Sequence, residues 1–232
     1  VTVYGILDVG YVGASERIAT GTAVPQNRAG ASMVGSAEST SRLGFRGNED
    51  LGGGTSAYFT IEMNLTPSSG VNFSSLQNRQ TFVGLAQKGI GQFQVGTQNT
   101  LVHNAVGATD PGQQNNIAGN VIYAAATLPF STADSTNLSS YVNASQNGYA
   151  YTVRTNNTIV ANTEKIGGFV ARAGYTYNAS TLNNTNLSSG YSGGVNNQSG
   201  WQVGLDFSGI KNLLVTANYQ AFSSKNPWGG DY

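Results

Sequence analysis

The 232-residue chain contains no cysteine, which excludes disulfide staples and thiolate-ligated metal centres. It holds one histidine, His103, too few for a multi-histidine metal site, and this residue reads as a solvated loop position. Charge is scarce: 11 Lys and Arg against 11 Asp and Glu, 9% of all residues, where typical soluble domains carry about 25%. A net charge of zero argues against a nucleic-acid binder with a basic footprint. No run approaches the roughly 18 apolar residues of a helical membrane span. A membrane β-barrel passes that test, because each of its strands alternates and gives a weak hydropathy signal.

What the chain does have is glycine (31 residues), tyrosine (12) and phenylalanine (9), set in short alternating runs that Gly-rich turns close. The aromatic content and patterning argue against disorder. In Ser41-Arg42-Leu43-Gly44-Phe45-Arg46-Gly47, Leu43 and Phe45 fall on one side of a strand, Arg42 and Arg46 on the other. One face needs a dry surrounding and the other needs water. The pattern predicts an all-β fold, a transmembrane antiparallel β-barrel with lipid outside and water within.

Nine strands are expected: Val1 to Val12, Ser39 to Asn48, Ser56 to Leu65, Gln77 to Ala86, Gly91 to Gln98, Tyr149 to Asn162, Gly167 to Tyr177, Gly200 to Phe207 and Leu213 to Phe222. Connections alternate between short turns (49–54, 87–89, 163–166, 208–212) and long polar loops (13–40, 66–76, 99–148, 178–199). Barrels with short periplasmic turns and long outer loops have this rhythm. Nine is odd and the last residues, Asn226 to Tyr232, read as loop. Residues 1–232 are therefore expected to be one barrel domain, the N-terminal part of a larger barrel. An opening that is already strand suits a mature exported chain and a cytosolic one alike.

The alternation assigns faces. Ala57, Phe59, Ile61 and Met63 point outward, with Tyr58, Thr60, Glu62 and Asn64 inward; Phe82 points outward, with Arg79 and Thr81 inward. Tyr151 and Val153 point outward beside an inward Arg154. Phe169, Ala171, Ala173 and Tyr175 point outward around an inward Arg172, and Trp201, Val203, Leu205 and Phe207 point outward. Tyr4 and Asp8 share the inner face of the first strand. An arginine turned toward hydrocarbon costs roughly 2–4 kcal/mol at the bilayer midplane, so Arg42, Arg46, Arg79, Arg154 and Arg172 belong in a wet lumen. For any one of them a plain solvated wall charge is an equal alternative. Gly52-Gly53-Gly54 lacks the lysine and helix of a phosphate loop and reads as a turn. Trp201 and Trp228 suit either an interfacial aromatic girdle or packing on a neighbouring subunit.

Five blocks carry a family resemblance: Val3-Tyr4-Gly5-Ile6-Leu7-Asp8, Ser41 through Gly52, Asn78 through Leu85, Gly91 through Gly96, and Arg154 through Ile159. In this order and spacing they resemble the general diffusion porins of Gram-negative outer membranes, β-proteobacterial type. The resemblance implies a homotrimer of 16-stranded barrels in the outer membrane, surrounded by lipid and lipopolysaccharide. It implies passive diffusion of small hydrophilic solutes and ions, with no cofactor, metal or catalysis. It also implies a pore constriction with Arg42, Arg46, Arg79 and Arg154 on a basic wall. Asp110, in the third long loop at 99–148, and Glu62 would then face them as the acidic side, with Arg172, Asp8 and Tyr4 as further lumen-facing residues. The family's second loop carboxylate is absent, replaced by Pro111-Gly112-Gln113-Gln114. The surplus of arginine predicts a modest anion preference. The competing readings are a substrate-specific porin and a surface-exposed β-sandwich adhesin or binding protein.

Overall fold

The computed structural model describes residues 1–18, 26–36, 38–67, 78–114, 116, 153–181 and 195–225. Tyr151, the 66–76 loop beyond residue 67, Trp228, the stretch 226–232 and most of the 99–148 loop lie outside them. Nine antiparallel strands form one sheet: β1 (Thr2–Ile6), β4 (Arg42–Gly52), β5 (Thr55–Asn64), β6 (Asn78–Gln87), β7 (Gly91–Asn99), β8 (Arg154–Thr163), β9 (Phe169–Thr181), β10 (Val195–Phe207) and β11 (Val215–Lys225). They pair in that order, each from β4 onward beside its neighbour in sequence. The expected count of nine holds for this sheet.

Two differences concern the start of the chain. The expected first strand, Val1 to Val12, breaks at Leu7-Asp8, and the 13–40 connection contains a hairpin, β2 (Val9–Ile18) with β3 (Gln26–Gly35). The break comes from Asp8, whose carboxylate takes the backbone N–H groups of Glu38 and Ser39 and so ends the β1 ladder. In addition, β9 and β10 run past the expected ends, pairing Thr181 with Val195. Those extra residues are mostly Asn, Ser, Thr and Ala, which bond through the main chain and show no apolar alternation to read.

Register aligns the faces across the sheet. One row runs Ala221, Trp201, Tyr175, Ile159, Val95, Val83, Phe59, Gly47. A neighbouring row on the same face runs Tyr219, Val203, Ala173, Ala161, Phe93, Leu85, Ala57. The large side chains of this face lie open, Val83 at 59% and Tyr219 at 60% exposure. The opposite face is polar and packed: Gln98, Thr155, Thr158, Thr176 and Gln202 are all fully buried. Thr158 Oγ1 meets Thr176 Oγ1 at 2.8 Å, and Gln98 donates to the Thr158 carbonyl at 2.7 Å. Leu101 and Val160 are the only buried hydrophobic residues among those described. Burial is thus inside out relative to a soluble domain, whose core is apolar.

Alternation fails in β8, where the register shifts between Gly96 and Gln98 and both Thr155 and Thr158 are buried on the polar face, and it fails in β6. Phe82 lies on the polar face, opposite Thr60 and Gly96 and edge-on to Tyr58 at 6.3 Å, while Thr81 is exposed on the apolar face. Glu62 pairs with Gln80 but Met63 pairs with Asn78, so Arg79 is an extra residue in β6. Such a bulge opposes two residues to one and re-aims side chains. It keeps Arg79 inward while inverting the faces expected for Thr81 and Phe82.

Candidate functional site

The polar face is crossed by a chain segment. After β7, Thr100 donates its N–H to the Val153 carbonyl (3.0 Å) and caps helix α1 (Leu101–Thr109), its hydroxyl accepting from the His103 N–H at 3.1 Å. A threonine in this position satisfies a helix N–H that has no intrahelical partner. The helix packs on β10 and β11, where the Leu101 N–H donates to Gln202 Oε1 at 2.7 Å. The chain then turns through residues 111–114. Asp110 Oδ1 accepts from the Gly112 N–H at 3.0 Å and Oδ2 from the Gln114 N–H at 2.7 Å. At Asn116 it bonds to the link before β4: N–H to the Glu38 carbonyl (3.0 Å) and side-chain amide to the Ser36 carbonyl (3.0 Å). The segment 100–116 therefore lies across the polar face, which is the inner face.

Beneath it, charges converge on Glu62, which is 4% exposed. Arg79 Nε donates to Glu62 Oε1 at 2.6 Å, Arg42 lies 4.0 Å from the same oxygen, and the Tyr4 hydroxyl donates to Oε2 at 3.1 Å. Arg42 is further held by the Thr40 carbonyl (2.9 Å) and the Ser39 hydroxyl (2.7 Å). Arg46 sits over the Tyr4 ring, 5.5 Å from its centroid, a favourable cation–π arrangement. Tyr4 reaches Glu62 by lying across Gly44, where a Cβ would run into the ring.

Sequence and structure differ here in four respects. Glu62 does not face the arginines from the opposite side, because β5 runs between β4 and β6 and its carboxylate is ion-paired within their cluster. Asp8 lies past the end of β1 and its carboxylate is spent on backbone amides. Arg172 is on the inner face but at the short-turn end of the sheet, opposite Asn162 and ion-paired to Asp206. His103 is buried, not solvated. Burial, with Arg154 and Arg79 nearby, pushes its pKa down to about 4, and Gln114 Nε2 lies 3.3 Å from its Nδ1 and donates to its carbonyl at 2.9 Å. Gln202 and Asn116 carry no motif and their roles are visible only in the fold. Helix α1 did have a signal, the capping Thr100 ahead of Leu101 and Ala105.

An apolar outer face, a packed polar inner face bearing ion pairs, and a segment laid across that inner face define the wall of a transmembrane β-barrel. The two-stranded β2–β3 hairpin is the only other sheet among the described residues, so none of them forms the second sheet that a β-sandwich would need over its apolar side. The chain belongs to the Gram-negative porin family, whose sequence profile matches residues 1–231, and this places it in the outer membrane. It is similar to an outer membrane porin protein of Bordetella pertussis, 30% identical over 119 residues. It is also similar to the major outer membrane protein P.IB of Neisseria meningitidis serogroup B, 33% identical over 106 residues. The matched segments cover 48% and 44% of this chain but 31% and 29% of those proteins. Among solved structures the fold resembles that of an anion-selective porin from Comamonas acidovorans, with TM-score 0.60 and 22% identity, covering 99% of this chain and 70% of that one.

Proposed function

We propose that the chain supplies wall and constriction for a water-filled outer-membrane channel, through which small hydrophilic solutes and ions diffuse passively with a modest preference for anions. The observation that carries this reading is the convergence of Arg42 and Arg79 on the inner face, beneath a crossing segment held at Gln202 and at the link before β4. Guanidinium stays protonated at every relevant pH. Arg42, Arg46, Arg79 and Arg154 outnumber Glu62 and Asp110, and Glu62 offsets part of the arginine charge without cancelling it. A narrow passage with low-dielectric walls focuses such an excess, and charged rings of one sign select ions of the other. In concentrated salt the preference fades, since screening acts over about 8 Å at 0.15 M and about 3 Å at 1 M.

Closure in lipid requires strands beyond β1 and β11, whose outer edges have no partner among the described residues, because hydrocarbon offers none for backbone N–H and C=O groups. The larger barrel is expected to assemble as a homotrimer, with lipid and lipopolysaccharide against the apolar face. The test is the reversal potential of the full-length protein in planar bilayers under a KCl gradient. Wild type favours chloride, Arg154→Glu moves the permeability ratio toward potassium, and Glu62→Gln moves it further toward chloride. A cation preference in wild type, or ratios unmoved by both substitutions, overturns the reading.

A further inference from the structure

Asp8 lies beyond the cluster around Glu62, yet it organises both parts of the site. Its Oδ2 accepts the N–H groups of Glu38 and Ser39. Its carbonyl accepts the Ser36 N–H (2.7 Å) and the Ser41 hydroxyl (3.1 Å), and its own N–H lies 2.9 Å from Ser41 Oγ. Ser41, fully buried, also donates its N–H to Ser36 Oγ at 2.8 Å. Ser36, Glu38, Ser39 and Ser41 are thus gathered around one aspartate.

The link before β4 has two outputs. Ser39 Oγ and the Thr40 carbonyl orient the Arg42 guanidinium whose Nη1 faces Glu62. The carbonyls of Ser36 and Glu38 and the Thr40 hydroxyl (3.4 Å) receive Asn116. The crossing segment has its other fixed end at Leu101, on Gln202. Between these two ends it cannot swing away from the inner face. Without the Asn116 end it is held on the β10 side alone.

We propose that Asp8 is a positioning residue that sets the width of the passage, by shaping the 36–41 link that latches the crossing segment and aims Arg42. The proposal rests on the channel reading above. It assigns Asp8 a geometric role in place of that of a charge lining the lumen.

The two roles separate in single-channel recordings of the full-length protein. Asp8→Ala raises and broadens the conductance. Asp8→Asn keeps a carbonyl oxygen able to accept both amides, and leaves conductance and reversal potential near wild type. If instead Asp8→Asn and Asp8→Ala move the reversal potential equally at unchanged conductance, Asp8 acts by charge and the proposal falls. Should Asp8→Ala fail to fold, Asn116→Ala, made within the segment itself, is expected to widen the channel in the same way, and unchanged conductance there counts against the latch.

A rescue adds a readout that general destabilisation would not give. The chain has no cysteine, so Glu38→Cys with Asn116→Cys offers a single cross-link across the latch. In the Asp8→Ala background oxidation restores wild-type conductance and reduction widens it again; no restoration overturns the proposal. The rate at which this disulfide forms, read on gels and needing no current, is high with Asp8 present and low in the Asp8→Ala background, where prolonged oxidation still completes it. Absence of any current from wild type together with this rate difference refutes the channel reading alone. Equal rates refute the latch.

Discussion

At the scale of single residues, the site depends on where charge is absorbed. Glu62 is surrounded by two guanidiniums and a phenol, so its carboxylate is neutralised locally, whereas Arg46 sits over an uncharged ring and keeps its full charge. His103 is the complementary case, a base kept neutral by burial and cationic neighbours. Its ring Nδ1 accepts from Gln114, which leaves the hydrogen on Nε2. The unfolded segment takes up a proton near pH 6.5, the docked segment only near pH 4. Between those values the unfolded form binds more protons, so docking weakens as pH falls from 6.5 to 4 and is unaffected above that window. The loss amounts to up to about 3 kcal/mol. Protection factors of the α1 amides, in which each observed exchange rate is referred to the intrinsic rate at the same pH, are expected to fall across this range, and His103→Gln is expected to flatten the dependence. Protection factors that stay constant from pH 7 to pH 4 in wild type would show that His103 does not couple to docking.

At the scale of elements, small residues and the β6 bulge decide which side chains meet around Glu62. Gly44 gives Tyr4 its path to Glu62, and Gly84 does the same for Tyr58, whose hydroxyl lies 3.1 Å from Gln94 Oε1. Gly44→Ala drives a methyl into Tyr4 Cζ. Because the ring is packed against β4 and must shift, the substitution is expected to cost about 1–3 kcal/mol. The urea midpoint of the protein in lipid vesicles measures this, and Tyr4→Phe separates loss of the hydroxyl from displacement of the ring. The bulge at Arg79 acts on a larger set. With one extra residue in β6, the inner face receives both an arginine for Glu62 and, further along the strand, Phe82 for Tyr58. Strict alternation could place only one of the two there.

At the scale of the whole molecule, the unusual feature is a sheet whose packed side is polar and whose open side is apolar. In lipid that distribution is favourable, and in water it would expose a continuous apolar surface far larger than a monomeric soluble protein carries. Val203→Arg, on the outer row, is therefore expected to cost about 2–4 kcal/mol of folding into bilayers if it sits near the midplane, while Gln92→Arg, on the inner row, costs little. Folded fraction in vesicles against urea measures both. A larger loss from Gln92→Arg than from Val203→Arg would reverse the assignment of wet and dry faces.

The sequence by itself determined the strand count of the main sheet, the positions of its short turns and the wet side of most strands. These follow from a period of two and from Gly-rich turn chemistry, both of which act between near neighbours. Arg42 and Arg46 opposite Leu43 and Phe45 needed no tertiary information. The tertiary structure alone decided that Arg79 and Phe82 share a face, because a bulge is a mismatch between two strands and leaves no mark in either. It also decided that Glu62 sits among the arginines and that Asp8 serves a link 30 residues away. The same holds for the docking of α1 on Gln202, 101 positions beyond Leu101. Such contacts join residues that the chain separates widely, so their partners exist only once the sheet has formed.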